Sequence, residues 1–223
     1  MRNLFNLDSP IMRGLARLCD LMWLNILTII CCIPIITIGP AITALYYMTM
    51  KILRGEEGYL TKPYFQAFRD NFKQGILLWL LIVGVGGVLV IDFAIAIVMQ
   101  TPYQRVLLVA LMMLAMLFAT IIMYLFPLQA RFENTCRATL KNAFLLALTQ
   151  LPKTILMVLI HLSPFAITYF VPYIAPLIIL LGIALPAYGC SYLLVAIFKK
   201  IEESQLGDAV ESEQLEEVLV EEE

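Results

Sequence analysis

The sequence predicts an all-α membrane protein, a polytopic transmembrane helical bundle. Two observations lead to this prediction. First, 61% of the 223 residues are hydrophobic and 14% are charged, whereas about 25% of the residues of a soluble domain are charged. Second, the charges lie in short blocks between apolar runs long enough to cross a hydrocarbon layer about 30 Å thick. A water-exposed surface cannot be built from this composition.

Three apolar runs define the later part of the bundle. They are residues 75–99, interrupted only by Asp92, residues 106–129, and residues 154–198. The last run is too long for one helix, and Pro172 and Pro176 supply a turn near its middle. We therefore predict a transmembrane domain at residues 1–200. Its six segments are expected at about 15–33, 38–53, 75–99, 106–129, 154–171 and 174–198.

The first two of these segments come from residues 21–50, which carry no charge. This run is too long for one span and too short for two full ones. Pro34, Gly39 and Pro40 lie at its centre and favour a bend. The first two segments are therefore expected to form a hairpin. It consists either of two short spanning helices or of a re-entrant pair that enters and leaves on the same side.

Basic residues in the loops support this hairpin and predict the topology. Lysine and arginine accumulate in cytoplasmic loops. If residues 21–50 enter the membrane and return to the side from which they started, 14 of the 15 basic residues lie on one side of the membrane. If they cross once, the division falls to 11 against 4. We therefore expect a multi-pass protein of the cell (cytoplasmic) membrane, with both the N- and the C-terminus in the cytoplasm.

The two long cytoplasmic connections are expected to be amphipathic helices. In the first, Tyr64, Phe65, Phe68 and Phe72 share one helical face. The second, residues 131–153, has a similar basic and aromatic pattern. Such helices need only the anionic lipid of the bilayer to explain them, but they could also dock a partner. The acidic residues 201–223 are predicted to be a disordered cytoplasmic tail.

The motifs of common enzymes are absent from the sequence. It contains no phosphate-binding loop and no metalloprotease or serine-hydrolase motif. It has one histidine, and its five cysteines form no C-x-x-C pair. We therefore expect no enzymatic activity and no catalytic residues. We also expect no cofactor, no metal site and no nucleic-acid partner.

Two ionisable residues within the apolar segments are candidates for a substrate path. They are Asp92 and His161, and an ionisable group in lipid is expensive enough to suggest a function. For His161 the favoured alternative is a hydrogen bond between helices. For Asp92, which is off-centre in its segment, a structural or vestibule position is as well supported as substrate or proton passage. Asn25, Gln129 and Gln150 fit the interhelical role.

A family resemblance rests on residues 34–73. The runs Pro-Ile-Ile-Thr-Ile-Gly-Pro-Ala at 34–41, Ala-Leu-Tyr-Tyr at 44–47, Arg-Gly-Glu-Glu-Gly-Tyr at 54–59 and Phe-Gln-Ala-Phe-Arg-Asp-Asn-Phe-Lys at 65–73 resemble the YesL family of bacterial membrane proteins. The resemblance implies an integral membrane protein of undefined function, from a family whose genes occur beside those for oligosaccharide uptake and breakdown. The matching positions are Pro34, Thr37, Gly39, Pro40, Leu45, Tyr46, Gly55, Glu56, Phe68 and Asn71.

No catalytic role can be carried over with this resemblance. We interpret the matching positions as structural or partner-contact residues. They would form a kinked hairpin that returns to the cytoplasm, a turn containing Gly55, and an aromatic interfacial helix. Glu56 is expected to anchor that turn by pairing with Arg54, Lys62 or Arg69.

The leading functional hypothesis is a non-catalytic accessory subunit of a carbohydrate (oligosaccharide) ABC importer. It would contact the permease subunits, the ATPase or the solute-binding protein, the first two through its cytoplasmic helices. One alternative is an independent permease or channel for a small solute or sugar. Another is a regulatory membrane scaffold or sensor. The sequence leaves the substrate, the partner and the oligomeric state open.

Overall fold

The structure, a computed structural model, describes residues 10–56, 58–99 and 102–221, with side chains at 12–56, 58–99 and 102–203. The described residues are mostly α-helical, and short 3₁₀ turns lie at Ile35–Thr37 and Pro172–Ile174. The helices are α1 (Pro10–Cys32), α2 (Ile38–Leu53), α3 (Thr61–Asp70), α4 (Phe72–Val98), α5 (Gln104–Arg131), α6 (Cys136–Thr149), α7 (Leu151–Phe170), α8 (Ala175–Leu181) and α9 (Ala184–Glu221).

The predicted all-α class and the six apolar segments are confirmed. Six helices in the described part of the chain are long and apolar enough to cross a membrane. The first five lie within a few residues of the predicted bounds. These spans are Met12–Cys32, Ile35–Leu53, Phe72–Val98, Gln104–Arg131, Leu151–Phe170 and Ala184–Glu203.

The sixth segment differs from the prediction of one helix at 174–198. The chain breaks at Gly182, between the short helix α8 and the long helix α9. Asn25 of α1 stabilises this break from outside. Its Nδ2 donates to the Ile179 carbonyl at 2.8 Å, and its Oδ1 accepts from the backbone N–H groups of Ile183 and Ala184 at 3.1 and 2.9 Å. The side chain thus satisfies N–H groups that a helix start leaves without partners.

Helix α2 lies across one end of the α4–α5 hairpin rather than alongside it. Gly39, at its N-terminal end, contacts Gly75 in the first turn of α4. Thr43 donates to Gln129 in the last turn of α5 at 3.2 Å, and Lys51 lines the same cleft as Gln129. Between Gly39 and Lys51 the helix advances about 18 Å. Over this distance it stays near the same ends of α4 and α5.

This crossing bears on the two alternatives for the first hairpin. Two full spans would place the bend around Pro34 and Gly39 near the far end of α4, about 30 Å from its start. The bend instead lies beside Gly75, about 5 Å from the start of α4. The geometry favours a re-entrant hairpin, although α1 and α2 are each long enough to cross a membrane.

The two connecting helices are present as α3 and α6, but the aromatic face of α3 does not lie free at an interface. Tyr64 is fully buried, and its hydroxyl lies 3.2 Å from Thr28 Oγ1 and 3.3 Å from the Ala41 carbonyl oxygen. Burial raises the pKa of the Tyr64 phenol, so it remains a neutral donor. Phe65 and Phe72 are the exposed members of the predicted face.

The acidic tail also differs from its predicted state. Composition predicts disorder at 201–223, whereas α9 continues as a helix to Glu221. Glutamate, leucine, glutamine and alanine are good helix formers, and a helix that is already nucleated in the preceding span extends at low cost. Residues 222 and 223 lie outside the described part of the chain.

Candidate binding cleft at one end of the bundle

A polar cleft of about 700 Å³ opens where α2, α3 and the adjoining ends of α4 and α5 meet. The connection at residues 132–135 forms a fifth wall. The lining is rich in amides and carboxylates, with two cations and two aromatic rings among them. These polar, charged and aromatic residues are Tyr47, Lys51, Gln66, Asp70, Asn71, Gln74, Gln129, Arg131, Phe132, Glu133 and Asn134.

Two glycines allow the helices that form this cleft to approach closely. A Cβ atom on Gly39 would overlap the carbonyl oxygen of Gly75 and lie 2.9 Å from the Cβ of Trp79. A Cβ atom on Gly75 would lie 2.8 Å from the nitrogen of Pro40. Any larger residue at either position would therefore push α2 away from α4. The cleft depends on this contact because α2 and α4 form adjoining walls.

Amide side chains hold the other walls in place. Gln74 Nε2 donates to the Asn134 carbonyl at 2.9 Å and so ties α4 to the 132–135 connection. Asn71 Nδ2 donates to the Ala67 carbonyl at 3.0 Å, at the junction of α3 and α4. Gln129 Nε2 lies 3.5 Å from the Asn71 carbonyl oxygen. These bonds fix the cleft from three neighbouring elements.

The charges of the cleft are mixed. Lys51 and Arg131 face the same space as Asp70 and Glu133. Arg131 is already bound, because its Nε and Nη2 donate to the two carboxylate oxygens of Glu202 at 2.8 and 3.1 Å. Side-chain amides both donate and accept hydrogen bonds. The cleft can therefore bind an uncharged polar ligand or a polar polypeptide segment, and it does not select strongly for one sign of charge.

Of the positions that match the family pattern, those at the hairpin bend stabilise the bend through local contacts. Thr37 Oγ1 lies 2.6 Å from the Cys31 carbonyl oxygen and 2.7 Å from that of Pro34. Pro34 is in an extended conformation directly before the 3₁₀ turn. Pro40 packs against Gly75. These residues shape the hairpin and do not line the cleft.

Tyr46 and His161, which the sequence suggested separately, meet inside the bundle. His161 Nδ1 lies 3.0 Å from the Met157 carbonyl oxygen. A carbonyl only accepts, so Nδ1 carries the hydrogen and Nε2 is free to accept from the Tyr46 hydroxyl at 3.4 Å. The Cys190 sulfur lies 3.3 Å from Nδ1. His161 thus connects α2, α7 and α9, the interhelical arrangement that was its favoured alternative.

The matching positions in the turn after α2 and in α3 also have contacts or conformations that explain them. Gly55 has a φ of +73°, a conformation that favours glycine. Glu56 pairs with Arg54, one of the three partners expected for it, at 3.2 Å. Phe68 packs edge-on against Phe72 with ring centroids 5.5 Å apart. Of the residues that match the family pattern, Asn71 is the one that lines the cleft.

Asp92 lies far from this cleft. It is exposed on the outer surface of α4, and it forms no hydrogen bond or ion pair with the residues that the structure describes. It therefore does not belong to the hydrogen-bond network that contains His161. The structure separates the two substrate-path candidates.

Most of the cleft residues were not singled out from the sequence. Gln66, Asp70 and Gln74 are spaced four residues apart, so polar positions recur on one face as the chain passes from α3 to α4. That spacing was a usable signal, but the aromatic face beside it is more conspicuous. Gln129 was assigned a packing role, which its bond to Thr43 supports.

Comparisons with known proteins find sequence similarity to proteins of undefined function. A family model described as "Protein of unknown function, DUF624" matches residues 21–93, which include the second half of α1, all of α2 and α3, and most of α4. The chain is 26% identical to the uncharacterized protein YteU of Bacillus subtilis (strain 168) over 167 residues, 74% of this chain and 73% of that protein. No solved structure gives a significant match. The chain is thus similar to proteins whose function is undefined.

Proposed function

We propose that this protein is a non-catalytic accessory subunit of a carbohydrate ABC importer in the cell membrane. In this proposal the polar cleft receives a polar segment of the permease or of the ATPase on the cytoplasmic side. The observation that carries the proposal is the cleft itself, an open space of about 700 Å³ lined by amides and mixed charges. The link to carbohydrate import rests on the resemblance to the YesL family, with which the match over residues 21–93 is compatible.

The position of the cleft supports a cytoplasmic partner. Its walls include the end of α5 and the first turn of α4, where the basic loops begin. Basic loops face the cytoplasm in membrane proteins. A partner segment that enters the cleft would meet side chains able both to donate and to accept hydrogen bonds.

The interior of the bundle supports a binding role more than permeation. Every buried side-chain nitrogen or oxygen among the described residues has a hydrogen-bond partner within the protein. Thr49 and Ser191 bond each other at 2.7 Å, and Tyr124 and Thr154 do so at 2.8 Å. Polar groups that satisfy one another hold helices together and leave little hydrogen-bonding capacity for a passing solute.

A filled cleft tests the proposal. Gln66 lines the cleft and makes none of the hydrogen bonds that hold its walls. We expect Gln66→Trp to occupy the space and to abolish co-purification of permease and ATPase components from native membranes in mild detergent. The neighbouring substitution Phe65→Trp is the matched control, because Phe65 is exposed on α3 outside the cleft. It should leave recovery of the importer unchanged.

Two outcomes would contradict this proposal. One is recovery of no importer component with the unaltered protein, under conditions in which permease and ATPase remain associated. The other is equal recovery with Gln66→Trp and the unaltered protein, which would move the partner contact away from the cleft.

A further inference from the structure

Helix α4 buries one stripe of residues and leaves the opposite face bare. The buried stripe includes Leu78, Ile82, Leu89 and Ala96, at the spacing of one helical face. On the other side, α4 exposes a band of small and branched residues. It consists of Gly84, Gly87, Val88, Ile91 and Ile95.

The two glycines make this band a shallow groove. A Cβ atom at Gly84 or at Gly87 would meet nothing within 4 Å, so neither glycine is needed for packing within the chain. By contrast, Gly86 lies on the covered side and faces Phe118 at 3.5 Å. Small residues on an open membrane-helix face allow another helix to approach closely. The glycines alone do not identify the helix that would pack against this groove.

Asp92 borders the groove and gives it a charge. It is exposed and lies about 9 Å before the end of α4 at Val98. Residues 93–99 beyond it are all apolar, so Asp92 lies within the apolar part of the span. A carboxylate in this position is costly unless a cationic or hydrogen-bonding partner contacts it.

Among the residues that the structure describes, none supplies that partner. Residues 74–104 contain no lysine or arginine. Arg105 comes next, but the contact between Gly86 and Phe118 sets the register of the antiparallel hairpin and places Arg105 level with Met99. That is about 10 Å along the helix from Asp92. The two residues form no ion pair among those the structure describes.

We propose that the outer face of α4 binds a transmembrane helix of a partner protein, one that carries a lysine or arginine at the depth of Asp92. Charge complementarity selects this occupant. A second copy of this chain would bring another α4 and would place carboxylate against carboxylate, and like charges repel each other. A basic residue satisfies Asp92 directly, while the groove at Gly84 and Gly87 accommodates the partner backbone. This inference rests on α4 and is independent of the function proposed for the cleft.

A designed peptide serves as the probe. It is a membrane-spanning helix of leucine and alanine, about 20 residues long, with a single arginine about six residues from one end. A second peptide carries leucine at that position. An acceptor dye on the peptide and a donor at Tyr103→Cys, in a chain without other cysteines, report association by energy transfer. Vesicles of phosphatidylcholine remove attraction to anionic lipid.

The arginine peptide should associate about 3- to 30-fold more strongly than the leucine peptide, the range that interhelical polar contacts give. Asp92→Asn should reduce this ratio toward one. Gly84→Leu should weaken association of the arginine peptide by filling the groove. Val90→Leu, at an exposed position outside the groove, and Asp70→Asn, in the distant cleft, should leave the ratio unchanged.

Three results would overturn the proposal. The first is equal association of the two peptides. The second is a ratio that survives Asp92→Asn, since the preference would then arise elsewhere. The third is self-association of the chain without peptide, measured by sedimentation and lost in Asp92→Asn, which would make a second copy the occupant of this face.

Discussion

The two ends of the α4–α5 hairpin differ in how far other helices of the chain cover them. At one end α2 crosses both helices, α3 and α6 adjoin them, and Arg131 binds Glu202 of α9. At the other end the helices are largely uncovered. Most of residues 90–98 of α4 and 104–110 of α5 are exposed. The covered end is built by contacts within the chain, and the bare end is left to lipid or to a partner.

Polar groups follow the same division. At the covered end, Thr43, Gln129, Gln74 and Asn71 bond one another or nearby carbonyl groups. At the bare end, Asp92 has no partner among the described residues. A polar group within a membrane segment is costly when it is unsatisfied. Among the described residues, the chain thus satisfies these polar side chains at the covered end and leaves Asp92 without a partner at the bare end.

The largest expected effect concerns the side on which the first hairpin bends. Ile35 lies at the bend, Lys73 at the start of α4 and Tyr103 at the far end of the hairpin, and all three are exposed. We expect a nitroxide at Ile35 to be broadened by a water-soluble paramagnetic chelate on the same side of a vesicle as one at Lys73. A nitroxide at Tyr103 should respond from the opposite side. If the chelate broadens the nitroxides at Ile35 and Tyr103 from the same side, the hairpin spans the membrane. The bend then does not lie on the same side as the start of α4.

Next in size is a substitution at the helix crossing. Gly39→Leu forces a side chain into the Gly75 carbonyl and Trp79, and we expect it to lower the free energy of unfolding by about 3 kcal/mol, the upper range for overpacking. Gly84→Leu, where there is open space, should change it by less than about 0.5 kcal/mol. Thermal unfolding in detergent compares the two. Equal effects would remove the distinction between the covered and bare parts of α4.

Asn25→Ala tests whether the break before α9 depends on α1. The substitution removes three hydrogen bonds and leaves the N–H groups of Ile183 and Ala184 without their acceptor. We expect a loss of about 2 kcal/mol, the usual range for a lost helix cap and an unsatisfied buried group. Hydrogen exchange at Ile183 and Ala184 should accelerate more than exchange in α4. Uniform acceleration throughout the bundle would argue against a local cap.

The smallest effect is expected at the ion pair that joins α5 to α9. The Arg131 and Glu202 side chains are 28% and 34% exposed, so water and salt weaken their attraction. Arg131→Gln should cost about 1 kcal/mol, given the two parallel hydrogen bonds. A double-mutant cycle with Glu202→Gln, repeated at high salt, measures the coupling. No coupling at low salt would show that the covered end does not need this pair.

The sequence predicts the number of spans well because span length and hydrophobicity are local properties. It predicts less well where a distant residue decides the structure. Nothing in residues 174–198 indicates that Asn25, more than 150 positions earlier, stabilises a break at Gly182. Likewise, the aromatic spacing of α3 predicts an amphipathic helix, but burial of Tyr64 depends on its contacts with Thr28 and Ala41.

The candidate site follows the same pattern. Asp92 and His161 stand out because they are ionisable within apolar runs, yet the structure places one on the surface and the other in an internal network. The cleft residues have ordinary composition and gain significance only when α2 crosses the ends of α4 and α5. The glycines at 39 and 75 permit that crossing. A single sequence shows Gly39 as part of a bend and gives no sign of its contact with Gly75.

The bond between Asn25 and the start of α9 also sets an order of assembly. The first helix enters the membrane early in synthesis, while the groups that its Asn25 binds emerge 154 to 159 residues later. Until then, the amide of Asn25 must find temporary partners among water, lipid headgroups or the insertion machinery. A chain that terminates before α8 would leave this amide without its native partners. Completion of the last span is thus the step that gives the amide of the first helix its native hydrogen-bond partners.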